Sequence, residues 1–167
     1  MTLEEKIGQM NQLFFFGAQA SEPLTAAIRN GQIGSFLFIS DPAITNRLQK
    51  IAVNESRLKI PLLFGFDVIH GFHTIFPVPL AMAASWDPKM VEGAQTIAAR
   101  EARAVGINWV FAPVADLDVL PENPIVQTRA YPRPDEGRRD AIKWAVTDST
   151  IASSTRADAS CSGVKPT

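Results

Sequence analysis

One cysteine in 167 residues, Cys161, has no partner for an internal disulfide, so a covalent framework does not hold this chain together. Long apolar runs are lacking as well. None reaches the ~18 residues needed to span a bilayer, and no membrane partner is expected. An excess of charge of one sign is also missing. Lys and Arg number 16 against 17 Asp and Glu, and the nearest basic stretch, Arg133 to Arg139, is broken by Asp135 and Glu136. A surface for nucleic acid is therefore not expected. The opening "MTLEEKIGQM" lacks the basic-then-apolar order of a secretory signal, and the chain as written is expected to be soluble and cytoplasmic. Metal-ligand spacing is absent: His70 and His73 lie three apart with only Asp67 nearby, so no metal is expected.

What is present is the profile of a globular domain, 46% hydrophobic and 20% charged. Thr2 followed by Glu5 is a capping box, and Leu3, Ile7, Met10 and Leu13 at helical spacing predict a first helix. "GSFLFIS" at 34–40 predicts a buried strand. Asp41 opens a helical stretch ending near Leu58, with Ile44, Leu48, Ile51 and Ala52 on one face. "PLLFGFD" at 61–67 predicts the next strand. Asp87 as N-cap and Pro88 at the first helical position open a long helix to about Ala104, with Gly106 at its end. "INWVFAP" at 107–113 predicts a third strand. Strands apolar on both faces and separated by helices imply a parallel sheet covered by helices, either doubly wound or a (β/α) barrel.

In both folds ligands bind beyond the carboxyl ends of the strands. Asp67 closes the strand at 61–67, and Asp116 follows the strand at 107–113 in the same way. A carboxylate there can accept two hydroxyl hydrogen bonds from a sugar, and it can equally cap a turn while His70 bonds the loop. Composition does not separate the two readings.

"MTLEEKIGQM", "IGSFLF", "IPLLFGFDVIHGF", "TIFPVPLAMAASWDP", "AAREARAVGINWVFAPVADL" and "NPIVQTRAY" together resemble the N-terminal part of a glycoside hydrolase of family 3, which includes bacterial β-glucosidases and β-N-acetylglucosaminidases. The resemblance runs from about residue 2 to about residue 131, in the family's order. It implies an α/β fold, a partial (β/α)8 barrel of which roughly the first half is present. It also implies a retaining activity on terminal β-linked sugars, with a β-linked glucoside or oligosaccharide as partner and no cofactor. Asp67 matches the aspartate that grips hydroxyls of the non-reducing sugar. Arg129 resembles the arginine that binds the same sugar, and His70 and Gly71 belong to the motif that shapes the loop. A guanidinium fork donates to adjacent hydroxyls while the aspartate accepts, so the pair can read the orientation of a pyranose. Of the aromatics that could stack on a sugar, Phe72, Phe76, Trp86 and Trp109, the last three are expected in the core.

Retaining hydrolysis needs a nucleophile and an acid/base about 5 Å apart. In the resembled family the nucleophile lies well downstream of the arginine, and no residue of this chain matches its motif; Asp116 and Asp118 do not. The catalytic residues are therefore unknown from sequence. Residues 1–131 are expected to form the barrel portion. Residues 132–167 depart from the family pattern, and their Ser, Thr, Ala and Asp content predicts a flexible polar tail. A closed eight-stranded barrel takes about 250 residues. A homo-oligomer that closes the partial barrel is the expected remedy for unpaired strand edges.

Overall fold

A computed structural model describes residues 1–14, 20–114, 122–126 and 128–131. Ten elements follow in chain order: α1 (Leu3–Met10), β1 (Gln12–Phe14), α2 (Glu22–Arg29), β2 (Ser35–Leu37), α3 (Pro42–Lys50) running into a π-helical turn (Ile51–Glu55), β3 (Leu63–Phe66), α4 (Pro79–Ala83), α5 (Pro88–Ala104) and β4 (Trp109–Val110). The described chain divides into two compact units. The first comprises Met1–Val68, Phe72–Thr74 and Arg100–Ala112; the second comprises Ile69–Gly71, Ile75–Ala99 and the described residues from Pro113.

The first unit carries one sheet, with all four strands parallel in the order β1-β2-β3-β4. The expected parallel α/β arrangement is what the chain adopts, and its register sorts the side chains. Leu13, Phe36 and Phe64 stand in one row across β1, β2 and β3. Phe36 and Phe64 stack with centroids 6.2 Å apart and are almost fully buried among Ile28, Leu48, Ile51, Ala52 and Leu62. Burying each ring stabilises the fold by up to about 3 kcal/mol. Two amide side chains fix β3 in this layer. Gln49 accepts from the Leu62 amide at 2.7 Å and donates to the Leu62 carbonyl at 3.2 Å. Asn108 accepts from the Phe64 amide at 2.8 Å and donates to the same Leu62 carbonyl at 3.1 Å.

The caps predicted from sequence are present. Thr2 and Glu5 form the capping box of α1. The Asp41 carboxylate accepts from the Ala43 amide at 2.7 Å. Asp87 Oδ1 accepts from the Lys89 and Met90 amides at 3.0 and 3.2 Å, so the first turn of α5 is satisfied by its own sequence. Gly106, at φ +93, ends that helical segment as predicted.

Several expectations need correction. The first helix stops at Met10, and Leu13 lies in β1, a strand that its three-residue length kept hidden. The stripe Leu3, Ile7 and Met10 is 68%, 60% and 84% exposed, because α1 packs through Gly8, whose missing side chain lets backbone approach backbone. α2 and α4 were not foreseen either; Pro23 and Pro79 stand in their first turns, where proline is tolerated. Trp86 is 75% exposed, being held at φ +54 in the turn before α5. Trp109 is 39% exposed because it shares the sheet face of Gly65, opposite to the Phe36 and Phe64 row. Phe76 does pack, against the Met82, Val91, Ala94 and Tyr131 cluster of the second unit.

Candidate functional site

β3 ends at Phe66, and Asp67 is the next residue, at the carboxyl end of a central strand. Its neighbours anchor the backbone: Phe66 packs on, and Val68 is buried in, a cluster with Ala102 and Ile107 of the first unit. Asp67 itself is half-buried. The chain then turns tightly. Gly71 takes φ +118, which a side chain would resist, and makes isolated bridges to Ile69 and Ile75. The Phe76 amide donates to the His70 carbonyl at 2.7 Å. His70 is half-buried, and its Nδ1 is buried without a hydrogen-bond partner among the described residues.

Two residues of α5 that the sequence reading passed over hold this loop. The His73 and Thr74 amides and the Thr74 hydroxyl donate to the Glu101 carboxylate at 2.9, 2.8 and 2.6 Å. The Thr74 hydroxyl, then the amides, hold the Glu101 carboxyl below the usual carboxylate range, so it remains an acceptor at neutral pH. Within the second unit, Gln95 donates to the Ile69 carbonyl at 3.1 Å. Both lie in "AQTIAAREAR", within the long helix predicted from Asp87 to about Ala104. Only the folded chain brings the loop against them.

Arg129 follows a different anchor. Its amide and that of Ala130 donate to the Val126 carbonyl at 2.9 and 2.8 Å, closing a turn. Ala130 and Tyr131 are buried, and Tyr131 joins Met82, Val91 and Ala94 in the core of the second unit. Arg129 is half-buried at the head of that anchored pair. Burial pushes the Tyr131 phenol up, with a lesser opposing effect from Gln95, whose amide is 3.5 Å from its oxygen. Asp67 belongs to the first unit and Arg129 to the second. Asp116, Asp118 and the tail from 132 lie outside the described residues.

Among the described residues no group of three or more His, Cys, Asp or Glu could hold a metal ion, and no helix is long and apolar enough to cross a membrane. The first unit presents a carboxylate at a strand end, and the second, taken by itself, presents a guanidinium in an anchored turn. A carboxylate can accept hydrogen bonds from hydroxyls, and a guanidinium can donate to them.

A parallel βα array with polar groups at the carboxyl end of its strands defines an α/β protein of the (β/α) barrel class, of which roughly the first half is here. Residues 2–136 match the glycosyl hydrolase family 3 N-terminal domain, and the chain belongs to that family. The periplasmic β-glucosidase of Salmonella typhimurium is 34% identical over 117 residues, covering 70% of this chain and 15% of that protein. Among solved structures, a family 3 β-N-acetylglucosaminidase from Paenibacillus sp. superposes with a TM-score of 0.76 at 28% identity, over 91% of this chain and 31% of that one. The β-glucosidase from Listeria innocua in complex with glucose superposes with a TM-score of 0.71 at 31% identity, over 87% and 22%. The chain therefore spans less than a third of each of these three proteins.

Proposed function

We propose that this chain holds the terminal non-reducing sugar of a β-linked glucoside through Asp67 and Arg129, with His70 in the loop between strand and sugar, as part of a retaining β-glucosidase-type enzyme. The observation that carries the reading is Asp67, in the "FGFDVIHG" motif, at the carboxyl end of β3 and followed by a loop constrained at Gly71, His73 and Thr74. A half-buried carboxylate accepts two sugar hydroxyls at fixed angles, and the arginine fork donates to their neighbours. None of the 167 residues matches the family's nucleophile or acid/base motif, so bond cleavage needs a nucleophile and an acid/base other than these. On this reading the chain by itself binds sugar without turning it over.

The experiment is a calorimetric titration with D-glucose, together with release of 4-nitrophenol from the β-glucoside and the β-N-acetylglucosaminide by rigorously purified protein. Replacing Asp67 with Asn removes the charge and half of the acceptor capacity. Glucose affinity should fall by about 1.5–3 kcal/mol, as for hydrogen bonds to charged groups. Equal affinity in Asp67→Asn returns Asp67 to the role of a turn cap. Tighter binding of N-acetylglucosamine than of glucose favours the second reading, a β-N-acetylglucosaminidase portion, which "NPIVQTRAY" and the superposition on the Paenibacillus enzyme support. A third reading, a fragment that binds no sugar, predicts no heat with either. The proposal extends to self-association, since among the described residues β1 and β4 are the two edges of the sheet and a second copy can set its β1 beside β4.

A further inference from the structure

The geometry points to Glu101 as a positioning residue for sugar binding: its carboxylate fixes the path of the loop that leaves Asp67, and so sets where that loop can meet a sugar hydroxyl. This rests on the sugar-binding reading above and adds a residue to it. Three donors from two consecutive residues, at 2.6 to 2.9 Å, converge on this one carboxylate. Consecutive backbone amides aimed at a single anion define a local backbone conformation more tightly than one bond would. The Thr74 hydroxyl contributes the shortest of the three. Phe72, the residue before this pair, is edge-on to Phe66 at 5.0 Å, so the stretch is held on one side by an aromatic contact and on the other by Glu101. Removing the carboxylate leaves two exposed amides that water can satisfy. The fold then survives while the loop loses its single conformation.

The wild-type chain and the variants Glu101→Ala, Thr74→Val and Thr74→Ser are titrated with D-glucose, and melting temperature and amide hydrogen exchange at His73 and Thr74 are followed on each. Glu101→Ala should weaken glucose about tenfold, the lower end of what loss of an orienting partner costs at metal sites. Exchange at both amides should accelerate while the melting temperature stays within a few degrees. Thr74→Val should weaken binding severalfold, and Thr74→Ser, which keeps the donor, should restore it. If wild type binds glucose and Glu101→Ala binds equally well, the positioning role is overturned and the sugar site stands. If wild type gives no heat and Asp67→Asn is indistinguishable from it, the sugar reading falls and the positioning role with it. Should Glu101→Ala fail to fold, the threonine pair decides: equal glucose affinity in Thr74→Val and Thr74→Ser overturns the role.

Discussion

Alanine in place of a helical glycine normally stabilises a protein by about 1 kcal/mol, because glycine has more backbone freedom to lose on folding. At Gly8 of α1 the sign should reverse. A β-carbon built there falls 2.1 Å from the Gly31 carbonyl oxygen and 2.6 Å from Gln32 Cα, both backbone atoms that cannot rotate away. Reaching ordinary contact near 3.4 Å requires α1 to withdraw by more than 1 Å. The residues after it withdraw too. The Gly34 and Ser35 amides donate to the Asn11 carbonyl at 3.1 and 3.2 Å, and a shift of that size stretches both bonds beyond useful length. Two such bonds contribute about 1–3 kcal/mol together. Overpacking costs about 1–3 kcal/mol by itself where the neighbours cannot move. Against the propensity gain of about 1 kcal/mol, Gly8→Ala should lose about 3 kcal/mol net. The comparison variant is Gly93→Ala in α5, where nothing lies within 4 Å of the added carbon. It should gain about 1 kcal/mol. Urea unfolding followed by far-ultraviolet circular dichroism measures both. A Gly8→Ala midpoint at or above wild type, with unchanged slope, would refute the reasoning, since α1 could then not be docked through its backbone.

Asp87→Ala should cost about 1 kcal/mol through the lost cap of α5 and leave glucose affinity unchanged; a loss of affinity at unchanged midpoint would show the residue to be misplaced. Because burial raises the Tyr131 phenol above its ordinary value, the folded chain holds that proton longer than the unfolded one. Its contribution is fully present below the unfolded value near 10 and is lost as pH rises through the higher folded value. Wild type should therefore lose stability more steeply than Tyr131→Phe above pH ~10, and superimposable alkaline profiles would contradict it. Light scattering of the purified chain should report a dimer; a monomer at every concentration would remove the pairing of β1 with β4.

Those parts of the protein in which a residue acts on its immediate neighbours are legible in the sequence. Asp41, Asp87 and the Thr2–Glu5 box cap the helices that follow them, and Gly106 ends one, because capping involves residues two to four apart. The runs at 34–40, 61–67 and 107–113 produced β2, β3 and β4 in a parallel sheet, since buried strands must be apolar on both faces. The position of Asp67 at a strand end followed from the same pattern, and its motif identified the family. Tertiary structure decided the rest. β1 is three residues long and carries no periodic signal of its own; the register with Ser35 to Leu37 makes it a strand. The apolar stripe of α1 faces solvent because close backbone approach at Gly8 outweighs side-chain pattern in choosing which side packs. Gln49, Asn108, Gln95 and Glu101 read as ordinary polar helix and loop residues. Their roles arise from amides and carbonyls that are 13, 44, 26 and 27 residues away in the chain and become partners only once the strands and loops have been brought together.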